Sequence, residues 1–517
     1  MRMRCRLRPL VAGLVTAALV AGCSGGTATG SEGGSGSPKR GGQLILATNT
    51  EPATLDPATC ATYGWERCEP IFGTLLRYDQ DMAVFEPGMA ESFESADGKT
   101  WTLKLRSGLK FTDGTPFDAA AVVFNWDRIK DPKTLSPAAS IAKKMTWSVV
   151  DPLTVKVTVA QTNYQLPWAL VLSLSMIGSP AAIQKAGPDF GNAPVGAGPF
   201  VFKDWTRNTQ ITYERNNGYW EEGKPYADRL VTKTILQDDQ RLNALRAGEI
   251  NVDWSLLTKD AKKMAAEGFN VYKEPLVGGT GLRINFKDAD LKDPDLRQAI
   301  LKAVDSEQIN AAVYPGDRAA DAFFPPDHAY RDDTVGTYPK KDLEGAQKLF
   351  DSYLAKTGKS SLSLTFGSYA GVPLLEQVAQ LLQSQLQKIK GLTIDIKATD
   401  SPTLQKSLSS GTFQLAMSGV LSQQADYIYD VFHSDGTLNY SGYANPKVDK
   451  ALEITRSAKD EKTVADAYQV VNGEISKDAP MRFWRYQTGH LYTPKYVKGV
   501  KMSALSATFI EGVWIDN

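Results

Sequence analysis

An export segment that ends at a cysteine opens the chain, and it determines which residues can take part in the fold. Arginines at positions 2, 4, 6 and 8 precede an apolar run at residues 10–21. A helix needs about 20 apolar residues to span a bilayer, so this shorter run is typical of a signal segment that is removed. The run ends Ala21-Gly22-Cys23, which is the pattern of a bacterial lipobox. We therefore predict cleavage after residue 22 and a lipid on Cys23; an ordinary signal segment with an incidental cysteine is the alternative.

A tether follows this cysteine. Residues 24–37 are almost entirely Gly, Ser, Thr and Ala, a composition that gives a flexible linker with no apolar surface to bury. We expect residues 23–40 to hold a folded domain that begins near Gly41. The predicted location is the outer face of the cytoplasmic membrane, or its periplasmic side if an outer membrane is present.

The rest of the chain is long and nearly neutral. It is too long for one hydrophobic core, and at about 100–200 residues per domain we expect two or three packing units. Loss of residues 1–22 would remove four arginines and no acid, which changes the formal net charge from 0 to −4. No basic field for nucleic acid remains. No later apolar run reaches bilayer length, so a membrane permease is excluded.

Two cysteines remain for the folded part. The other two fall in the signal segment and at the lipid site, which leaves Cys60 and Cys68. Outside the cytosol we expect these two to form a disulfide around a small loop; two free buried thiols are the alternative. The three histidines, at positions 328, 433 and 490, are too distant to complete a metal site with the thiols, so neither a metal nor another cofactor is predicted.

Hydrophobic periodicity predicts a mixed α/β fold. Residues 101–105 alternate between apolar and polar side chains, as in a half-buried strand. Asp118 is expected to cap a helix. Another helix is predicted from about Pro373, closed by Gly391 and followed by an alternating strand at residues 392–396, which together make an α/β unit.

Short enzymatic motifs occur without forming a catalytic constellation. Residues 140–143 match S-x-x-K and residues 356–358 match K-T-G, both found in serine acyl-enzymes of the penicillin-binding type. The S-D-N motif that accompanies them is missing, and Gly358 is expected to end a helix. A serine acyl-enzyme is therefore a distant alternative, and no catalytic residue is predicted.

A series of motifs in a fixed order resembles one protein family. The most specific stretch is DGKTWTLKLR at residues 97–106. With it the chain resembles the peptide/nickel class of ABC-transporter solute-binding proteins, which includes oligopeptide- and dipeptide-binding proteins. Further matching stretches cover nearly the whole chain after the tether, at residues 41–44, 51–57, 75–78, 90–93, 110–116, 194–200, 217–220, 242–250, 283–286 and 296–305.

The resemblance implies an α/β periplasmic-binding-protein fold with two lobes, two interlobe crossovers and an extra subdomain in lobe I. Carried onto this chain, the parts are lobe I at residues 41–276 and 480–517, its extra subdomain at about 58–190, and lobe II at residues 277–479. Gly278, Gly279 and Gly281 then fall at the first crossover. They would serve as a hinge, because glycine tolerates large changes in φ and ψ; an ordinary surface turn is the alternative.

The resemblance also implies a ligand contact. In peptide-binding members an aspartate of lobe II receives the α-ammonium of the ligand, and Asp426 matches that position; an exposed loop acid is the alternative. The surrounding sequence departs from the family pattern, because Val420 replaces a tryptophan and Met417 stands where some members carry an arginine. A peptide is the first prediction for the solute, and an oligosaccharide or metal chelate is the second.

Aromatic side chains are the other predicted ligand contacts. Tyr63 and Trp65 lie in the predicted disulfide loop, and Trp484 and Tyr486 lie near the second crossover. Such rings stack on sugars or apolar side chains, with core packing as the alternative. The resemblance thus implies a monomeric, membrane-tethered receptor that closes on a small-molecule or peptide ligand and delivers it to an ABC-transporter permease.

Overall fold

The fold is built around sheets from different parts of the chain, as a computed structural model shows. The structure describes residues 37–60, 64–79, 84–326, 328–332, 334, 336–422, 424–503 and 508–516. The predicted signal segment, Cys23, most of the tether and Tyr63 lie outside the described residues. Within the described ranges, none of the helices has the length and apolar character needed to cross a membrane.

The first part of the chain alternates between strands and mostly short helices. Its strands are β1 (Gln43–Thr48), β2 (Leu76–Asp79), β3 (Val84–Pro87), β4 (Ala90–Glu94), β5 (Thr100–Leu105), β6 (Met145–Asp151), β7 (Thr154–Val159), β8 (Phe200–Thr206), β9 (Gln210–Arg215), β10 (Arg229–Thr234), β11 (Asp253–Ser255) and β12 (Asn270–Pro275). Its helices are α1 (Pro57–Cys60), α2 (Trp65–Phe72), α3 (Ala119–Lys130), α4 (Ala139–Lys143), α5 (Pro167–Ala169), α6 (Pro180–Ala186), α7 (Asp238–Arg246) and α8 (Thr258–Ala266).

This first part forms two packing units. Strands β1, β10, β9 and β8 make one sheet in that order, with β1 parallel to β10 and the other neighbours antiparallel. Strands β4, β5, β7 and β6 make a separate antiparallel sheet. Each sheet buries its own apolar cluster, one containing Leu103 and Trp126 and the other Leu44 and Phe200. The first part therefore divides its core, as expected for a chain of this length.

Local sequence rules explain individual elements of these units. In β5, Trp101, Leu103 and Leu105 are buried and alternate with more exposed polar residues, so the predicted half-buried strand is confirmed. Asp118 caps α3, because its carboxylate accepts a hydrogen bond from the N–H of Ala121 at 2.9 Å. The predicted helix start is confirmed as well.

The second part of the chain carries longer helices. Its strands are β13 (Val277–Ile284), β14 (Leu362–Tyr369), β15 (Leu392–Thr399), β16 (Leu415–Ser422) and β17 (Met481–Phe483). Its helices are α9 (Pro294–Ala303), α10 (Ser306–Val313), α11 (Leu343–Thr357), α12 (Pro373–Leu386), α13 (Ser401–Ser410), α14 (Tyr427–Phe432), α15 (Pro446–Ser457) and α16 (Glu461–Asp478).

One five-stranded sheet, in the order β15, β14, β16, β13 and β17, organises this second part. Apolar clusters lie on its two faces, because Leu282 and Phe483 sit on adjacent strands in opposite orientations and belong to different clusters. Helix α12, Gly391 and β15 form the predicted helix–strand unit. The helix itself ends at Leu386, so the prediction that Gly391 closes it is wrong; Gly391, with a φ of +89°, lies in the turn that leads into β15.

After β17 the chain returns to the first part through β18 (Thr488–Thr493), β19 (Val497–Lys498) and β20 (Trp514–Ile515). Strand β18 lies between β11 and β12 in an antiparallel sheet. Val497, Ile510 and Val513 are buried in the same cluster as Leu44. The first lobe thus contains both ends of the folded chain, and the predicted two-lobed α/β fold is confirmed.

Candidate functional site

Two chain segments connect the lobes side by side. In the first lobe β12 pairs antiparallel with β18, and in the second lobe β13 pairs antiparallel with β17. The first segment crosses at Leu276 and the second at residues 484–487. They stay hydrogen-bonded where they cross: the N–H of Leu276 donates to the carbonyl of Gln487 at 3.3 Å, and the hydroxyl of Thr280 donates to the Gln487 side chain at 3.0 Å. Any movement of one lobe against the other bends these two segments.

The predicted hinge glycines lie within β13, directly after the first crossing. Gly278 has a φ of +82°, which favours glycine, and a Cβ at this position would overlap the carbonyl oxygen of Val420 in β16. A Cβ at Gly279 or Gly281 would overlap a carbonyl oxygen of the second segment. The three glycines therefore allow the paired strands to approach closely, and their role as a hinge stays a prediction.

Arg485 links the two lobes at the second crossing. Its guanidinium pairs with the carboxylate of Asp317 and lies 3.8 Å from the ring centroid of Tyr314, both in the second lobe. It also donates a hydrogen bond to the carbonyl of Leu256 in the first lobe at 3.4 Å. The side chains of Arg485 and Asp317 are 6% and 3% exposed. A buried, paired cation thus fixes the second segment against both lobes.

The two predicted cleft aromatics at this crossing are buried. Trp484 has no exposed surface and packs in the second-lobe core. The Tyr486 hydroxyl donates to Asp321 at 2.6 Å and accepts a hydrogen bond from Arg331 at 2.9 Å. Burial, and then the hydrogen bond to Asp321, raise the pKa of that hydroxyl above its ordinary value. Core packing, the alternative stated from the sequence, describes both rings here, and solute contact stays a prediction.

The disulfide lies in the core of the first lobe. Cys60 at the end of α1 is joined to Cys68 in α2, with Cα atoms 6.4 Å apart. Trp65 begins α2, is 7% exposed and packs in the cluster that contains Leu44. Tyr63, within the loop, lies outside the described residues. The bond joins two short helices, and solute contact by Trp65 stays a prediction.

Away from the crossings the lobes meet at a second place, which we call the interlobe seam. Its residues are Ala96, Lys144 and Tyr164 of the first lobe and Tyr429, Asp430, Arg456 and Lys459 of the second. The Lys144 Nζ lies 3.0 Å from Asp430 Oδ1. The N–H of Tyr164 donates to the carbonyl of Arg456 at 2.7 Å, and Lys459 Nζ donates to the carbonyl of Ala96 at 2.9 Å. The lobes therefore touch at the seam as well as at the crossings, as in a closed two-lobed protein.

Asp426 lies beside this seam, at the end of the second-lobe sheet that faces the crossings. Ser422, the last residue of β16, pairs with Val277, the first residue after the first crossing. Both carboxylate oxygens of Asp426 bind Arg456, with Oδ1–Nε at 2.7 Å and Oδ2–Nη2 at 2.9 Å. The carboxylate predicted to receive an ammonium is thus paired with a cation of its own lobe, and its contact with a solute stays a prediction.

Sequence reasoning missed the seam and the partner of Asp426. No local pattern marks Lys144, Tyr164 or Arg456, and the Lys144–Asp430 pair joins positions 286 residues apart. The sequence shows that Met417 and Val420 depart from the family pattern, but it does not show where their side chains lie. Met417 and Val420 are both fully buried, one on each face of the second-lobe sheet.

The enzymatic motifs are not brought together. Ser140 lies in α4 of the first lobe, whereas the K-T-G residues lie at the end of α11 in the second. Gly358 ends α11 with a φ of +68°, as predicted, and Lys356 pairs with Asp295. Among the residues that the structure describes, no group of three or more His, Cys, Asp or Glu side chains could hold a metal ion.

Comparisons with known proteins agree with this architecture. A family model described as bacterial extracellular solute-binding proteins, family 5 (middle), matches residues 84–439. The oligopeptide-binding protein AppA of Bacillus subtilis is 27% identical over 521 residues, which cover 94% of each chain. The glutathione-binding protein GsiB of Salmonella paratyphi A is 25% identical over 454 residues, or 84% of this chain and 87% of that protein.

A solved structure extends the comparison to a different ligand. The binding protein AgaA of A. tumefaciens R10, in complex with agropinic acid, matches with a TM-score of 0.80 at 25% identity. The match covers 92% of this chain and 99% of AgaA. Proteins similar to this chain over most of its length therefore bind different solutes.

Proposed function

The chain belongs to the bacterial extracellular solute-binding proteins of family 5, and we propose that it captures a peptide between its lobes and delivers it to an ABC-transporter permease. Its relatives are substrate-binding proteins of transporters and not enzymes. The observation that carries the peptide proposal is the similarity to an oligopeptide-binding protein along 94% of both chains. The protein would act as a monomer, with one solute between its two lobes.

The geometry supports capture by closure. Two paired segments connect the lobes, and the seam contacts, such as Lys144–Asp430, form only when the lobes approach. A solute that contacts both lobes favours this closed form over an open one, so binding is a shift in population. We take β17 as part of lobe II, because it pairs with β13. This puts the boundary near residue 483, slightly later than the 479 that the sequence predicts.

A second candidate is a solute that is not a peptide, such as an oligosaccharide or a metal chelate. Three observations favour it. Asp426 is already paired with Arg456, Met417 and Val420 are core residues, and the similar protein AgaA is seen with agropinic acid.

Native mass spectrometry of the purified protein separates the two candidates. We expect a ladder of added masses that fragment into amino-acid residues, because closed clefts retain cargo during purification. Protein stripped of cargo by unfolding and refolding is the control. A single added mass that yields sugar or metal fragments would reject the peptide proposal in favour of the second candidate.

We also propose that a lipid on Cys23 holds the protein at the outer face of the membrane, with residues 24–40 as a tether. Cys23 follows an apolar segment and precedes a Gly/Ser-rich stretch, the order expected of an anchored protein. Cys23→Ser is expected to move most of the protein from the membrane fraction to the soluble fraction, because the lipid anchor can no longer be attached. Equal membrane association of the variant and the parent protein would contradict the anchor. Ser24→Ala is the control and should fractionate like the parent.

A further inference from the structure

The first-lobe residues of the interlobe seam all belong to one of the two packing units of that lobe. This unit, which we call the seam unit, is built on the sheet of β4, β5, β7 and β6. We propose that the seam unit is a latch, whose contacts with the second lobe hold the protein closed whichever solute it carries. This inference rests on the proposed closure of the lobes, but not on a peptide as the solute.

The seam lies between two separate cores. In the seam unit, Ala96 lies in the turn between β4 and β5, Lys144 directly precedes β6, and Tyr164 follows β7. They face α14, the end of α15 and the turn after α15. The seam unit packs on the cluster that contains Leu103, whereas α14 and α15 pack on the cluster that contains Phe483. The seam can therefore open while both cores stay packed.

Each lobe extends a lysine to the other. Lys144 of the first lobe lies 3.0 Å from a carboxylate oxygen of Asp430, and Lys459 of the second lobe donates to the carbonyl of Ala96 at 2.9 Å. The Lys459 ammonium also lies 4.9 Å from the ring centroid of Tyr164. Hydrogen bonds from a charged donor are stronger than those between neutral groups. Both lysine contacts are lost when the lobes separate, so both favour the closed form.

The ion pair of the latch is a modest contact. The Lys144 side chain is 43% exposed, so solvent and salt weaken its attraction to Asp430. Asp430 also keeps a partner in its own lobe, because its other carboxylate oxygen lies 3.8 Å from Nη2 of Arg456. Loss of one lysine contact should therefore change the ratio of closed to open protein by about two- to fivefold. A latch of this strength favours closure and still allows release.

The latch should act on every solute equally. Its contacts join protein to protein, so they change the fraction of molecules that are closed and not the contacts that distinguish one solute from another. The apparent dissociation constant rises as the binding-competent fraction falls. Weakening the latch is therefore expected to raise the dissociation constants of all solutes by one common factor.

Pulsed electron paramagnetic resonance on the cargo-free protein tests the latch. Nitroxide labels on Val150→Cys in the first lobe and Val470→Cys in the second measure the distance between the lobes, and both positions are exposed. At low salt we expect part of the population at the closed distance. Lys144→Met and Lys459→Met together, the seam variant, should lower the ratio of closed to open protein by about fourfold or more.

Salt gives a second measurement on the parent protein. At about 1 M salt the Debye length falls to about 3 Å, so the Lys144–Asp430 attraction is screened. The ratio of closed to open protein should fall with salt in the parent, and fall less in the seam variant. A parent protein that is fully open at low salt without solute would overturn the inference.

A second double variant is the matched control. Lys203→Met and Lys302→Met remove two lysines whose partners, Glu214 and Asp342, lie in the same lobe as the lysine. This control should keep the parent ratio of closed to open protein. The inference is overturned if the seam variant keeps that ratio too, or if the control lowers it as much as the seam variant does.

Calorimetric titration with separate dipeptide and tetrapeptide libraries tests the common factor. The seam variant should bind each library that the parent binds about fourfold or more weakly, by the same factor for both. Factors that differ between the libraries would contradict a latch that acts on every solute equally. If neither library binds the parent, the peptide proposal fails, while the distance measurement still decides whether the latch exists.

Discussion

Replacing Arg241 with methionine is expected to lower the free energy of unfolding by about 3–5 kcal/mol, because it leaves a buried carboxylate without its cation. Arg241 in α7 binds Asp253 in β11, with Nε–Oδ1 at 2.8 Å, and both side chains are 1% exposed. Oδ2 of Asp253 has no hydrogen-bond partner among the described residues. Urea unfolding followed by tryptophan fluorescence measures the loss.

The loss of unfolding free energy in Arg241→Met should depend on pH. Burial raises the pKa of Asp253 to about 6 even though Arg241 acts to lower it, so the pKa rises further in Arg241→Met. A carboxyl whose folded-state pKa is raised favours the fold while it is protonated, and that contribution is lost as the pH rises through the folded-state pKa. The deficit of the variant should therefore be larger at about pH 8 than at about pH 5.

A neighbour on the same helix provides the control. Arg246 pairs with Glu267 at 2.6 Å, but these side chains are 27% and 33% exposed. Arg246→Met is expected to cost about 1 kcal/mol or less, because partly exposed pairs contribute little. Equal losses in the two variants, or a loss in Arg241→Met that does not vary with pH, would contradict the role given to the buried pair.

Gly278→Ala is expected to lower the free energy of unfolding by about 2–4 kcal/mol. Alanine at a φ of +82° is strained, and its Cβ would overlap the carbonyl oxygen of Val420 and force β13 away from β16. Because β13 would be displaced directly after the first crossing, we expect the affinity of the protein for its solute to fall as well. Thermal unfolding and peptide titration measure the two effects.

Gly248→Ala is the control that separates the effect of backbone strain from the effect of Cβ overlap. Gly248 has a similar φ of +74°, but nothing lies within 4 Å of a Cβ at that position. This variant should lose only about 1 kcal/mol through backbone strain, with no change in solute affinity. If it is destabilised as strongly as Gly278→Ala, close packing of the strands is not what requires glycine at the crossing.

Much of the fold could be predicted because its signals are local. The alternation in β5 and the cap of α3 by Asp118 depend on residues that are near one another in sequence. The two-lobed arrangement depends on pairings between distant strands, such as β12 with β18, and only the family resemblance indicated it.

The candidate site was less predictable, because tertiary contacts decide the role of each side chain. The sequence identified Asp426 but could not show that Arg456, 30 positions away, would bind both of its oxygens. Trp484 was proposed for the cleft from its place near a crossing, yet the side chain points into the second-lobe core. An aromatic residue beside a hinge and one in a core look alike in sequence, since both require a large apolar surface.

Calorimetric titration of the purified, cargo-free protein with a mixed library of di- to pentapeptides tests the central claim most directly. Capture between two lobes predicts a saturable heat with one peptide bound per chain, and a weaker heat for Gly278→Ala. No heat of binding with any peptide length would contradict the claim that this protein is a peptide receptor.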